Sequence, residues 1–297
     1  MKLTIAIPTY NRPSIIFETI SKLISFPNSN DIEILVVDNG SDIDIVQYLK
    51  NKLRLVPNLS IKRFETNQGF HESFYRLFEA CETEYLMVLS DEDYFDLNFL
   101  NDVLKILTSK SPSLLAVSAK KNSRVLVRPN KERIPLYRLQ GRSSSISGLI
   151  FKVEPVLKKV NFFRALSESE EFAFLYPSVL VAFALALDGQ CFDLKVGGIR
   201  NGAVAPSTIT SRSGEAYYLP TERVYQHASI IRCLNRLTLE YPQHARRIRV
   251  IQLSASFNFF GKVYDSVGII SPEVQRDLIM SSLKTAMIFY CRKLFGR

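Results

Sequence analysis

Nowhere does the sequence hold an apolar run approaching the roughly 18 to 20 residues that cross a bilayer as a helix, although 46% of its 297 residues are hydrophobic. The most apolar stretch, residues 172–187, contains Pro177 and stops at Asp188, so it reads as a buried helix. The N-terminus lacks the basic segment, apolar segment and small-residue cleavage site of a secretion signal, and begins instead with the strand-like Lys2-Leu3-Thr4-Ile5-Ala6-Ile7. A cytoplasmic chain is the expectation. There are four cysteines, Cys81, Cys191, Cys233 and Cys291, with no CxxC and no Cys/His ligand spacing, which points to free buried thiols and away from zinc. Histidines number three, and no Ser/His/Asp or Cys/His arrangement offers a nucleophile. Internal repeats and low-complexity tracts are absent as well.

Charge is plentiful but unevenly placed. Residues 1–100 carry nine Lys and Arg against fifteen Asp and Glu, residues 101–220 seventeen against nine, and residues 221–297 twelve against five, within a net +9. An acidic front that needs a cation and a basic rear that suits an anionic partner is the simplest reading; two solvated faces would give the same numbers. No nucleic-acid reader motif accompanies the charge, so nucleic acid is set aside as a partner.

Hydrophobic periodicity alternates between two and helical spacing over the first hundred residues. Strands are expected at 3–7, 31–38, 60–64 and 84–89, and helices at 13–26, at 43–53 and along Phe70, Phe74, Leu77, Phe78 and Cys81. That alternation predicts an α/β fold, a Rossmann-like and mostly parallel sheet flanked by helices. Further on, strands are expected at 114–118, 124–127 and 149–153, a polar basic loop at 129–147, and helices at 155–166 and 178–188. A helical C-terminal region follows at 224–239, 245–267 and 272–295.

Parallel sheets bind ligands beyond the carboxyl ends of their strands, which directs attention to the loops there. The first reads Pro8-Thr9-Tyr10-Asn11-Arg12-Pro13, the second Asp38-Asn39-Gly40-Ser41-Asp42, and the fourth strand runs into Ser90-Asp91-Glu92-Asp93. Carboxylates gathered in a crevice are costly without a positive partner. Asp91 and Asp93 flank Glu92 and can face one point, an oxygen set suited to Mg2+ or Mn2+ shared with a substrate diphosphate. Lys62 and Arg63, at the end of the third strand, read as exposed strand-end cations or as phosphate contacts.

Together these segments resemble the family 2 glycosyltransferases of GT-A fold: IAIPTYNRP at 5–13, LVVDNGSD at 35–42, Asn67-Gln68-Gly69, and YLMVLSDED at 85–93, in family order. The resemblance implies a nucleotide-diphosphate sugar as donor. Pro8, Thr9, Tyr10 and Asn11 would then line the base and ribose pocket together with Asn67, Asp38 would meet the base edge, Asp91 the ribose, and Asp93, with Asp91, the metal. UDP is the default nucleotide, because Asp38 can accept from a pyrimidine N3–H; dTDP satisfies the same contact. A saccharide or lipid-linked saccharide acceptor, in bacterial surface polysaccharide synthesis, is the implied setting. The corresponding division is a glycosyltransferase domain at 1–215, with donor and metal binding at 1–100 and the acceptor at 101–215, followed by a basic helical region at 216–297.

Inverting members of the family place an acidic base in a Glu-Asp pair at the start of a helix that ends at a glycine. Counting back from Gly189 falls on Tyr176-Pro177-Ser178, which has no carboxylate. The nearest candidates are Glu168, Glu170 and Glu171, with Glu171 favoured because it adjoins the apolar segment. The missing pair keeps open a second reading, a catalytically degenerate scaffold. Nucleotidyl transfer is disfavoured, since the first loop is not glycine-rich. His71, just after Asn67-Gln68-Gly69, reads as a helix-terminal structural residue, with substrate contact as the alternative. Arg246, Arg247 and Arg249, and the terminal cations beside apolar and aromatic residues at 284–295, suit a peripheral contact with an anionic membrane; a core helix with exposed cations is the plainer alternative.

Overall fold

The computed structural model describes residues 3–26, 29–53, 56–119, 130–200, 202, 211–215 and 220–265. Their strands are β1 (Leu3–Thr9), β2 (Ile32–Asp38), β3 (Leu59–Arg63), β4 (Tyr85–Val88), β5 (Tyr94–Phe95), β6 (Leu114–Ala119), β7 (Asn130–Arg133), β8 (Leu149–Lys152) and β9 (Cys191–Arg200). Interleaved with the first of these are helices α1 (Pro13–Ile24), α2 (Ile45–Lys52), α3 (Gly69–Glu79) and α4 (Leu100–Lys110). Then come α5 (Leu139–Ser143), α6 (Val153–Leu157), α7 (Val160–Ser169), α8 (Glu171–Leu175), α9 (Pro177–Asp188), α10 (Pro220–Glu240) and α11 (Ala245–Asp265).

The strands make one sheet in the order β3-β2-β1-β4-β8-β6-β9-β5, with β7 also on β9. The first four are parallel and in register, so Thr9 lies beside Asp38 and Asp38 beside Arg63 at one edge of the sheet. The added strands are mixed: β8 runs antiparallel to β4 and β6, while β6 and β9 are parallel. Both faces are buried, as a sheet covered on two sides requires. Leu3, Ile5, Ile7, Ile34, Val36 and Met87 face one core with helices α1, α2 and α4, and Ala6, Leu35, Val37, Leu86 and Val88 face the other with α3, α7, α9 and α10. Period-two alternation thus survives in runs that look continuously apolar.

Several expected elements change. The apolar stretch at 172–187 is two helices, because the residue before a proline is driven out of helical conformation: Tyr176 has φ −130° and ψ 56°, and Pro177 starts α9. Helix α9 is apolar on every side and almost wholly buried. The helix expected at 155–166 divides into α6 and α7, the first closed by Lys159 N–H donating to Val156 O at 3.0 Å. The basic loop expected at 129–147 contains β7, a 3-10 turn (Leu136–Arg138) and α5. Helix α4 and strands β5 and β9 were not expected. The strand expected at 124–127 and the helix at 272–295 lie outside the described residues. Among those residues, no helix is long and apolar enough to cross a membrane. Cys191 and Cys233 are buried and Cys81 partly so, and no disulfide joins them.

Candidate active site

Three loops meet where β1, β2 and β4 end. Asn11, in the first, takes a left-handed conformation (φ 55°), a state that asparagine tolerates better than residues without a short amide. It is held from three directions: its backbone N–H donates to Ser41 Oγ (2.8 Å), its Nδ2 to Asp42 Oδ2 (2.9 Å), and its Oδ1 accepts from Asp42 N–H (2.8 Å). Tyr10 beside it is 39% exposed, an aromatic face open to solvent at the crevice. Pro8 lies on β1, paired with Val37.

Asp38 ends β2 and is fully buried. Its Oδ1 accepts from Ser41 N–H (3.0 Å) and Ser41 Oγ–H, while its Oδ2 is buried with no hydrogen-bond partner and the Arg63 Nε lies 3.7 Å away. An orphaned buried carboxylate oxygen is costly. Arg63 reaches on to Ser41 O (2.8 Å) and Asp44 (3.3 Å), so it braces the second loop as well as meeting Asp38.

The loops after β2 and β3 are stapled together. Asn39 Nδ2 donates to Asn67 Oδ1 (2.8 Å), which also accepts from Gly69 N–H (2.9 Å), and Gln68 N–H donates to Asn39 Oδ1 (3.2 Å). Gly40 has φ 74°, and a Cβ there would fall 2.4 Å from the Thr66 carbonyl carbon, so glycine is required on two grounds. The Asn67 side chain therefore builds the loop from within the staple.

Asp91 and Asp93 are both nearly buried, at 5% and 6% exposure, but they face different partners. Asp91 accepts from Thr9 Oγ1 (2.9 Å) and pairs with Arg12 (3.1 Å), and its carbonyl accepts from Thr19 Oγ1 (2.6 Å). Burial raises its pKa above the ordinary carboxylate value more strongly than Arg12 and Thr9 lower it. Asp93 accepts from Ser147 Oγ (2.6 Å) and from Gly202 N–H (3.2 Å). As a metal site the pair offers hard oxygen donors of the kind Mg2+ and Mn2+ prefer. Asp91 already faces the Arg12 guanidinium. Among the described residues no cluster of three or more His, Cys, Asp or Glu gathers around an ion site, so any ion here would need oxygens from elsewhere.

The three candidate bases separate. Glu170 is buried, accepting from Ser229 Oγ (2.9 Å) and Arg232 Nε (2.9 Å). Glu168 is exposed on α7. Glu171 is the first residue of α8 and is held through its carboxylate by the Arg212 N–H (3.2 Å), with Arg212 Nε at 3.8 Å. Burial raises its pKa, against the opposing pull of Arg212. Glu170 and Glu171 stand at the start of α8, which Pro177 separates from the helix that ends before Gly189. Arg12, Ser147, Thr19 and Gly202 had no assigned role in the sequence. Only Arg12, inside a recognised motif, carried a signal.

A parallel sheet with acidic loops converging at its carboxyl edge, closed by a mixed extension, is the architecture of the GT-A fold. The sequence profile described as "Glycosyl transferase family 2" matches residues 4–156, more than half the chain. The chain belongs to that family. Curated relatives include the poly(ribitol-phosphate) beta-N-acetylglucosaminyltransferase TarS of Staphylococcus aureus (strain Mu50), 24% identical over 236 residues, covering 77% of this chain and 37% of the relative. An uncharacterized glycosyltransferase of Mycoplasma genitalium is 31% identical over 99 residues, 32% of this chain and 33% of the relative. The chain thus spans about a third of each relative's length. Among solved structures, S. aureus TarS 1–349 in complex with UDP-GlcNAc matches with a TM-score of 0.61 at 19% identity, covering 94% of this chain and 79% of the other. The mannosyltransferase PcManGT from Pyrobaculum calidifontis, in complex with GDP-Man and Mn2+, matches with a TM-score of 0.53 at 12% identity, covering 96% and 80%.

Proposed function

We propose that the chain transfers a sugar from a uridine diphosphate sugar to a hydroxyl of a saccharide or polyol acceptor in bacterial surface polysaccharide synthesis. The observation that carries this is the buried Oδ2 of Asp38, which has no hydrogen-bond partner among the described residues and only the Arg63 guanidinium at 3.7 Å, at the sheet edge where the loops of Thr9, Tyr10, Asn11, Asp91 and Asp93 converge. A pyrimidine N3–H would satisfy that oxygen once Arg63 moves aside, and the TarS complex with UDP-GlcNAc supports the same nucleotide. Asp91 would meet the ribose, and Asp93 would hold Mg2+ or Mn2+. When bound, such an ion neutralises charge on the departing diphosphate.

Glu171 is the proposed base. It takes the proton from the acceptor hydroxyl as that oxygen bonds to the anomeric carbon, and the bond from that carbon to the diphosphate oxygen breaks. A raised pKa suits this task, because a stronger base removes the proton more readily near neutral pH. Glu170 is left to structure by its bonds to Ser229 and Arg232. The exposed Arg246 and Arg249 at the start of α11 support an acceptor presented on an anionic membrane surface.

A thermal-shift series with UDP, UDP-GlcNAc and GDP-mannose, with and without Mn2+, tests the donor reading. UDP ligands should stabilise the protein most, and more with Mn2+. An equal response to every nucleotide sinks it, and specific UDP binding without turnover would favour a scaffold.

A further inference from the structure

His71 lies in the first turn of α3, directly after the staple that joins the loops following β2 and β3. Its imidazole packs on Phe174 of α8 with ring centroids 4.8 Å apart. On the same ring lies the Arg212 guanidinium, 5.1 Å from the centroid. Glu171 and Phe174 are three residues apart on α8 and so share a helix face, and the Arg212 backbone N–H holds the Glu171 carboxylate. Phe174, still partly exposed, is therefore the hub around which His71, Arg212 and the proposed base are arranged.

The two ring nitrogens of His71 are not equivalent. Nδ1 is buried, has no hydrogen-bond partner among the described residues, and faces Gly69, where a Cβ would stand 3.2 Å from it. An N–H sealed there would be left unsatisfied, so the proton belongs on Nε2. Protonating both nitrogens would bury an unpaired N–H together with a charge. Burial accordingly lowers the pKa of this histidine, with Arg212 pulling the same way and Glu72 and Glu168 opposing. The ring is a neutral donor, with only Nε2–H to offer.

We infer that His71 binds the acceptor, donating from Nε2–H to an oxygen of a neutral polyhydroxylated segment that lies across Phe174 beside Glu171. Two carboxylates, Glu168 and Glu171, against the one guanidinium of Arg212 favour hydroxyls over phosphate, and the part of Phe174 left exposed beside His71 and Arg212 packs against the C–H groups of a sugar or alditol. This rests on the reading of the chain as a glycosyltransferase with Glu171 as base.

The test uses the full chain saturated with UDP, with ribitol and methyl β-N-acetylglucosaminide as probes. Long-range 1H–15N spectra should show His71 as the neutral Nε2–H tautomer at pH 7. Its resonances should move with at least one probe, while those of His227 and His244 stay still. Transfer from UDP-GlcNAc to the same probes supplies the second readout. His71→Gln, whose amide reaches the Nε2 position, should keep the acceptor KM within about threefold, whereas His71→Asn and His71→Phe should raise it about tenfold, the loss of roughly one hydrogen bond. UDP should still stabilise all three variants. A charged or Nδ1–H ring, resonances unmoved by both probes, or a His71→Phe variant with unchanged KM overturns the inference. A chain that ignores UDP sinks the glycosyltransferase reading instead.

Discussion

Asn11 and Asp42 clasp each other twice, amide to carboxylate at 2.9 Å and backbone N–H to amide oxygen at 2.8 Å, and so join the loops after β1 and β2. The clasp holds Asn11 in its left-handed conformation. Alanine at position 11 loses the clasp and tolerates that backbone poorly. Asn11→Ala should lower stability by about 1–2 kcal/mol, whereas Asn11→Gly should cost less while still weakening UDP binding. Urea unfolding and UDP titration of the two variants separate backbone strain from the clasp.

Asp93 and Ser147 give a second prediction. Asp93→Ala should abolish the extra stabilisation that Mn2+ adds to UDP binding and reduce transfer to near background. Ser147→Ala removes the 2.6 Å hydrogen bond to a nearly buried carboxylate, at a cost of about 1–3 kcal/mol. Some Mn2+ response should survive in that variant, because the ligand itself remains. An unaltered Mn2+ response in Asp93→Ala would remove Asp93 from the metal site.

Glu170 and Glu171 are adjacent but should behave in opposite ways. Glu170→Ala strips a buried acceptor from Ser229, and should cost about 1–3 kcal/mol while leaving UDP binding intact. Its partner Arg232 has a side chain 58% exposed, so that ion pair adds little. Glu171→Gln should eliminate transfer with donor binding unchanged. Protein melting curves beside transfer rates would expose any exchange of these roles.

The raised pKa of Glu171 fixes the sign of a pH effect. A carboxyl that holds its proton more tightly when folded than when unfolded costs stability as pH rises past the ordinary glutamate value. Glu171→Gln should therefore melt slightly higher than the wild type at pH 7 and no higher at pH 3. Transfer by the wild type should fall as pH drops through a value above the ordinary one for glutamate, since the base must be ionised. A rate profile whose acid limb sits at or below that value contradicts the assignment.

Gly40→Ala tests the staple. The methyl group would be driven into the backbone of Thr66 and Asn67 at a positive φ. A loss above about 2 kcal/mol is expected, with weaker UDP binding, because both backbone strain and a steric clash arise. Differential scanning calorimetry alongside UDP titration measures both.

The parallel half of the fold was readable because local pattern suffices there: β1, α1, β2, α2 and α3 each bury a face of regular period, and each strand ends in a distinctive loop. Past Leu100 the pairing is non-local. Strand β9 takes its place from β6 and β7, and β5 is only the pair Tyr94–Phe95, so neither has a periodic signature of its own. The helix break at Tyr176–Pro177 was legible in principle, since proline acts on its predecessor. The helix expected at 178–188 stands as α9, and what the apolar composition hid was the short α8 before it. At the site, loop motifs named Asp38, Asp91 and Asp93, but Ser147 and Gly202 come from distant segments with no motif. His71 was visible only as a histidine near a crevice; its tautomer follows from contacts that no one-dimensional pattern carries.

Asp93 and Gly202 touch across 109 positions of sequence, and Arg200 pairs with Asp96 nearby at 2.7 Å. The acidic loop is therefore finished by chain that leaves the ribosome long after it. At roughly 5–20 residues per second, translation leaves Asp93 waiting on the order of 5–20 s for that partner. For about the first half of that interval, until β8 is made, β4 has a neighbour on one side only. A nascent chain halted before residue 149 would present an open, apolar sheet margin, the kind of surface on which chaperones act and aggregates begin.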